Sequence, residues 1–582
     1  MQSKLVLLFF SLLLFHSTAQ HIPFYKIDTL KAGSKTFGTT DTADFQSLQL
    51  SSSFPILNAG QKWGLPSIFQ LFNSSGYVHI PPNVNSNVTF SALPHIGIGY
   101  FFGNQSSQVL NANYQQTFRY GIFVNLNIKN LKSGGFYRNS GFSNTSYDLK
   151  VLKYGKRYSF AFQGVFQNEK RSWNGGVSDL TEVETYAPQL IAVNKADAAS
   201  HFSFQNYRLE NTFRVLGDSL TFLGLRTKHE LRIQKRSYTE YGDLANLYNA
   251  IYVDSFQTND SLKYFQLSNQ AGLMLKNKNL TFEATAEMRN WKYTTGNLKS
   301  DTTEIYLNEQ IFYQKDQLLI RHSGLWNVIG AKNGLQFTTD LLMPLFGIDF
   351  QVHHQFKALA PELSQRKFFS NNVSYQLSDF YLQQGQQLTV SAKRKVGNWP
   401  LKLNYSMIQV AKNYRFDTLN AIWSQQLTTS QLLAQHIQLA TDFHTRLFHL
   451  YPRYTLTLMN KAYQFVPTHQ VDVRFLMKGG IFKAKKLKGM VGLDVLAFSG
   501  YKPLTFNPQM GIFDWEKLPQ TAKNKAFVNA GVFIGFEVDQ FRFFARWDNM
   551  AYLFMDRKTQ FILGSPMGST QIKLGVTWDF WN

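Results

Sequence analysis

An all-β fold, a transmembrane antiparallel up-and-down β-barrel of about 16–18 strands, is what this sequence predicts. Three observations carry it. The chain opens with an export signal. It closes on a two-faced strand tipped with aromatics. Between them the side chains keep a two-residue rhythm, and no long segment holds the i, i+3, i+4, i+7 pattern of a helix.

The export signal comes first in the chain. Lys4 supplies positive charge, Leu5–Phe15 is apolar except for Ser11, and Ser17-Thr18-Ala19 offers small residues for cleavage after Ala19. Residues 1–19 are therefore expected to be a signal peptide; the apolar run is about half the roughly 20 residues of a membrane helix. Beyond Phe15 no stretch is long enough for such a helix. Residues 20–93 are polar and read as a periplasmic lead-in, with an early strand at Tyr77–Ile80.

Residues 94–582 are expected to form the barrel. Ile96, Ile98 and Tyr100 alternate with glycines, and Ile122, Val124, Leu126 and Ile128 alternate with Phe123, Asn125, Asn127 and Lys129. Tyr158, Phe160 and Phe162 follow the same rule. The cleanest case sets Leu280, Phe282, Ala284, Ala286 and Met288 against Thr281, Glu283, Thr285, Glu287 and Arg289. Ten residues match one tilted membrane strand. Later strands oppose Leu401, Leu403, Tyr405 and Met407 to Lys402, Asn404 and Ser406. Val471, Val473, Phe475 and Met477 oppose Asp472, Arg474 and Leu476, and Phe541, Phe543, Ala545 and Trp547 oppose Arg542, Phe544, Arg546 and Asp548. In the last strand Ile572, Leu574, Val576, Trp578 and Phe580 oppose Lys573, Thr577 and Asp579.

Such strands must close on themselves, because lipid offers no partner to a bare sheet edge. Short turns such as Val538-Asp539-Gln540 and long polar segments such as Glu169–Ser200 and Thr239–Lys263 give the usual asymmetry of short periplasmic turns and long external loops. At roughly 27–31 residues per strand with its connection, the count comes to about 16–18.

Composition agrees. Aromatics make up 15% of the chain, an excess that interfacial girdles would use. There is no cysteine, so disulfides, thiolate metal sites and a lipid-modified cysteine are excluded. The net charge of +22 is compatible with an anion-favouring lumen or with rims that pair with lipopolysaccharide phosphates. Nucleic acid is excluded as a partner: the basic residues are dispersed and no recognition motif is present.

Three segments resemble the putative porins of Bacteroidota outer membranes. Tyr158–Gln167 runs into Asn168–Asp179, with its Asn174-Gly175-Gly176-Val177-Ser178-Asp179 turn. Tyr501-Lys502-Pro503 through Phe506-Asn507-Pro508-Gln509 is similar to a late loop of that family. The closing run carries Phe543–Met550, Pro566-Met567-Gly568 and Leu574-Gly575-Val576-Thr577-Trp578-Asp579-Phe580. The resemblance implies a barrel and a pore. Trp578, Phe580 and Trp581 are the expected C-terminal assembly signal, displaced from the family pattern because the chain runs past Phe580. Outer-membrane lipid and lipopolysaccharide, periplasmic chaperones and the barrel-assembly machinery are the expected partners, and self-association is left open.

No catalytic residue, metal ligand or cofactor is expected. His353 and His354 are adjacent and point to opposite faces of a strand. His436 and His444 stand roughly 26 Å apart at about 3.3 Å per residue, too far for one metal. His-Glu-x-x-His and Gly-x-Ser-x-Gly are absent. A TonB-dependent transporter, with about 22 strands and a plugged lumen, is disfavoured because Gln20 to about Ala92 is short and weakly patterned. The pore-lining candidates are Lys129, Glu283, Glu287, Arg289, Lys402, Asp472, Arg474, Arg542, Arg546 and Lys573, all on the polar parity. The expected function is passive diffusion of small hydrophilic solutes across the outer membrane of a Gram-negative cell, with anion preference. The alternative is a non-conducting barrel that scaffolds a surface or secretion complex.

Overall fold

The computed structural model describes residues 93–581 apart from 219, 331, 362, 378, 412–413, 418–421, 426–431, 461–464, 483–485 and 515–522, together with a parallel pair of short strands, Ile27–Thr29 and Val88–Phe90. The signal peptide, most of the lead-in and the strand expected at Tyr77–Ile80 lie outside the described residues.

Twenty-two antiparallel strands form one closed barrel among the described residues. They are β1 (His95–Gly103), β2 (Ser107–Phe118), β3 (Ile122–Ser133), β4 (Phe142–Tyr154), β5 (Tyr158–Trp173), β6 (Ala198–Gly217), β7 (Phe222–Tyr241), β8 (Gln257–Asn277), β9 (Leu280–Thr295), β10 (Leu298–Lys315) and β11 (Leu318–Ile329). Then come β12 (Leu335–Leu345), β13 (Ile348–Leu359), β14 (Gln383–Val396), β15 (Trp399–Ala411), β16 (Leu432–Thr441), β17 (Phe448–Met459), β18 (His469–Gly480), β19 (Leu487–Phe498), β20 (Phe527–Val538), β21 (Phe541–Asp548) and β22 (Gln571–Trp581). Each strand pairs with the next, and β22 returns to β1, with His95 opposite Trp581 and Gly103 opposite Lys573. Backbone partners are thereby supplied around the ring, as lipid requires.

The count exceeds the expected 16–18 because the estimate allotted too much chain to each strand and its connection. At the rim that holds His95 and Trp581, many connections are two-residue turns, 278–279, 316–317, 346–347, 397–398 and 539–540. Phe346 and Gly347 both adopt positive φ, 53° and 74°, as a tight hairpin with the twist of its strands demands. Less chain is spent per strand than the estimate allowed. Strands β10 to β13 lack a clean apolar face. Glu309, His322, Thr339 and His354 fall on the outward parity; His322, Thr339 and His354 are in register across neighbouring strands, and Glu309 stands diagonal to His322. Elsewhere the alternation is obeyed: Ile572 and Trp578 are 57% and 49% exposed, whereas Lys573 between them is wholly buried.

At the opposite rim most connections are longer, with 104–106 and 296–297 the short ones, but the long ones start later and end earlier than the polarity of the sequence suggested. β5 runs on through Glu169 to Trp173, and β7 and β8 extend to Tyr241 and back from Gln257. Asn174-Gly175-Gly176 is a turn, with positive φ at both glycines.

Candidate functional site: the lumen wall and its roof

All ten pore-lining candidates sit on the inward parity. Glu283 and Glu287 alternate with the exposed Ala284, Ala286 and Met288 on β9, and Arg542, Arg546 and Lys573 are buried on β21 and β22. Lys129 and Asp472 are half-buried on the inner parity of β3 and β18, and Lys402 is exposed on that of β15.

Most of these charges are joined in ion pairs along the wall. On one side Arg226 bridges Glu210 (2.9 Å) and Glu283 (2.5 Å), and Arg208 pairs with Glu210. Arg289 meets Glu287 through two nitrogens, at 2.6 and 3.0 Å. On another side Arg474 contacts Asp494 (2.5 Å), which Arg546 also reaches (2.7 Å). Arg546 continues to Asp548 (2.5 Å), and Lys573 completes the row at 2.8 Å from Asp548. Arg542 stands 3.5 Å from Asp579, which also meets His95 at 3.1 Å. Among the described residues no carboxylate pairs with Lys402. Burying unpaired charges is costly, so a wall this rich in charge is held by pairing and by contact with water.

Sequence reading missed the anions of these rows: Glu210, Asp494, Asp548 and Asp579 were not among the candidates. Arg208 with Glu210 and Lys228 with Glu230 share the inward parity on β6 and β7, and that alternation was the available signal. His353 and His354 do take opposite faces: His353 lies 2.7 Å from Asp340, while the ring of His354 lies against Phe337. Trp578 and Phe580 stack with ring centroids 4.3 Å apart; the Trp581 side chain lies outside the described residues.

Over the loop-bearing rim, connections interlock into a roof. The segment 499–526 leaves β19, yet Arg236 of β7 donates to the Pro508 and Gln509 carbonyls at 2.6 and 2.8 Å. Gln509 donates in turn to Asp260 of β8 (2.9 Å) and to Ser370 in the 360–382 connection (3.0 Å). β7 and β19 lie about half the ring apart, so this loop crosses the mouth. The 549–570 connection joins the 174–197 connection: Val177 N–H donates to the Gly564 carbonyl at 2.7 Å. A Cβ placed on Gly176 would fall 2.9 Å from the Gly564 backbone, so glycine is required at this approach. Tyr501 donates to the Gln560 carbonyl at 3.1 Å, and Tyr137 to that of Met567 at 3.0 Å. Apolar groups weld the structure: Trp173, Tyr238, Phe498, Tyr501, Ile562 and Met567 form one buried cluster drawn from strand tips and two loops. In the 174–197 connection, burial lowers the pKa of Lys195, opposed by its 2.5 Å contact with Glu240. Asp179 accepts from the Thr181 amide and hydroxyl, both at 2.7 Å, which holds its carboxyl below the ordinary range.

A closed antiparallel barrel with an apolar outer face and an ion-paired inner one defines an outer-membrane β-barrel protein. The chain belongs to the family described as "Putative porin", whose model matches residues 70–582. A comparison with curated protein sequences finds no match. Among solved structures it is similar to the siderophore receptor PirA of Acinetobacter baumannii, with 9% identity over 85% of this chain and 82% of that one and a TM-score of 0.59. The FrpB iron transporter of Neisseria meningitidis gives 10% identity, 84% and 81% coverage and a TM-score of 0.57. The ferric enterobactin receptor PfeA of Pseudomonas aeruginosa gives 10%, 85%, 83% and 0.56. At these identities the likeness is one of fold.

Proposed function

We propose that the chain is an outer-membrane channel for passive diffusion of small hydrophilic solutes, with its external mouth screened by the interlocked loops. The observation that carries this reading is the inner wall: row upon row of paired charges behind an outer face of Ile, Leu, Val and aromatics. Selectivity then comes from charges at the wall. Lys402, on the inner parity of β15 and without a carboxylate partner among the described residues, favours anions. Export by a cleaved signal peptide, insertion by the assembly machinery and contact with lipopolysaccharide belong to the same proposal. No catalytic role, metal or cofactor is part of it.

Purified protein in planar bilayers should give discrete conductance steps, with chloride preference in asymmetric KCl that weakens in Lys402→Gln. A bilayer that stays silent at high protein load would defeat the channel and favour the scaffold for a surface or secretion complex. A second reading, a receptor that captures a solute before passage, is favoured by the roof and by the fold shared with siderophore receptors. Conductance that appears only when the 499–526 loop is shortened would support it.

A further inference from the structure

The outward faces of β3 to β9 carry no carboxylate: every Asp and Glu of these strands lies on the inward parity. Cations do fall on the outward parity. Near the loop-bearing rim they include Lys132 of β3, Lys170 of β5, Lys235 of β7 and Lys263 of β8, all exposed. From β11 round to β2 the outward strand positions near this rim hold no lysine or arginine, so the patch is one-sided.

Two arrangements stand out within it. Lys235 and Lys263 are direct cross-strand partners. Like charges so placed repel, and no outward carboxylate on their own or adjoining strands relieves them. Lys132, Ser143, Lys170, His201 and Ser237 form one row across β3 to β7, each opposite the next. This row borders a recess of about 430 Å³, to which Ser172 adds a further hydroxyl. At the strand spacing Lys132 and Lys170 stand roughly 10 Å apart on either side of Ser143, and His201 Nε2 is held 2.7 Å from Asn168 Oδ1. Depth decides what reaches these groups. Four residues further along their strands, Ile128, Tyr147, Phe166 and Ile233 take the same outward parity, with the Tyr147 and Phe166 rings 6.0 Å apart. The cations therefore lie just beyond the apolar band, at the level of lipid headgroups.

We propose that this face of β3 to β8 is a docking surface for a phosphorylated glycolipid of the outer leaflet, lipid A in its chemistry. One phosphate enters the recess between Lys132 and Lys170, with serine hydroxyls as further donors. A second lies between Lys235 and Lys263, where it turns a repulsion into two ion pairs. The recess and the lysine pair are about two strands apart, roughly 10 Å, a span that a disaccharide bridges. The acyl chains run down over Tyr147 and Phe166. This rests on the proposed placement of the loop-bearing rim outside the cell.

The test is titration by native mass spectrometry of the full-length protein in dodecyl maltoside, with bisphosphorylated lipid A, dephosphorylated lipid A, phosphatidylglycerol and inorganic phosphate as probes. The dephosphorylated form should bind at least about tenfold more weakly than lipid A. Lys170→Gln, and Lys235→Gln combined with Lys263→Gln, should each weaken lipid A by about fivefold or more. The double variant removes a repulsion, so heat-modifiable migration should be unchanged. Lys153→Gln, outward at the other end of β4, should leave binding as it was. Equal binding of the dephosphorylated form, phosphatidylglycerol or free phosphate held as tightly, no binding, indifference to the substitutions, or an equal loss in Lys153→Gln would each overturn the proposal. An epitope in the 242–256 connection that antibody fails to reach on intact cells would put this rim in the periplasm and defeat the placement with it. A reachable epitope without lipid A binding would defeat this surface alone, and lipid A held by a barrel that does not conduct would defeat the channel alone.

Discussion

Lys573 is wholly buried, and its ammonium ends a row that passes through Asp548 and Arg546 to Asp494 and Arg474. Lys573→Met removes one of the two cations on the buried Asp548, which keeps Arg546, and is expected to destabilise the barrel by about 1–3 kcal/mol, read as a lower urea midpoint in lipid vesicles; an unchanged midpoint would mean that Arg546 alone holds Asp548. The outward face offers the opposite case. Glu309 lies between Leu307 and Ile311 on the lipid-side parity, with His322 3.4 Å away. A carboxylate on that side costs less than the about 2–4 kcal/mol of a cation at mid-membrane, yet it still costs. Glu309→Leu together with His322→Leu should raise the unfolding midpoint. A drop would mean that the pair contributes more than leucines in lipid. At this scale, direction was legible and partnership was not. A period of two tells which way Arg546 points. That Asp494 stands opposite depends on the register among β19, β20 and β21, which no single strand encodes.

Elements were readable where their two faces differed. β9, with five apolar residues against five polar ones, was plain, and so was β22. β10 to β13 were not, because Glu309, His322, Thr339 and His354 interrupt the apolar parity. The loop from Tyr501 to Gln509 stood out by its residues, but its reach across the mouth to Arg236 and Asp260 is a tertiary fact. The roof makes a prediction of its own. Gly564→Val places bulk where Gly176 already touches, and should separate the 174–197 and 549–570 connections. Larger conductance steps and faster protease cleavage near Gly176 are expected, with heat-modifiable migration unchanged. Unchanged conductance would mean that these two loops do not limit the opening.

For the whole molecule, the closed barrel and its polarity followed from an argument about unsatisfied backbone in lipid, which holds for any strand count. The count itself did not follow, because it depends on how little chain each hairpin spends. The anion-favouring lumen was inferred from net charge alone; the wall shows why that figure is a weak guide, since Arg226, Arg474, Arg542, Arg546 and Lys573 all face carboxylates.

The seam between β1 and β22 has a consequence for biogenesis. Its two halves, His95–Gly103 and Gln571–Trp581, are separated by nearly the full length of the barrel sequence. Until they meet, the sheet carries two raw margins, each a template for association with a stranger. Closure is thus a zipper whose last tooth joins the two most distant stretches of the wall, and a variant that blocks this one pairing would yield a sticky curved sheet in place of a vessel.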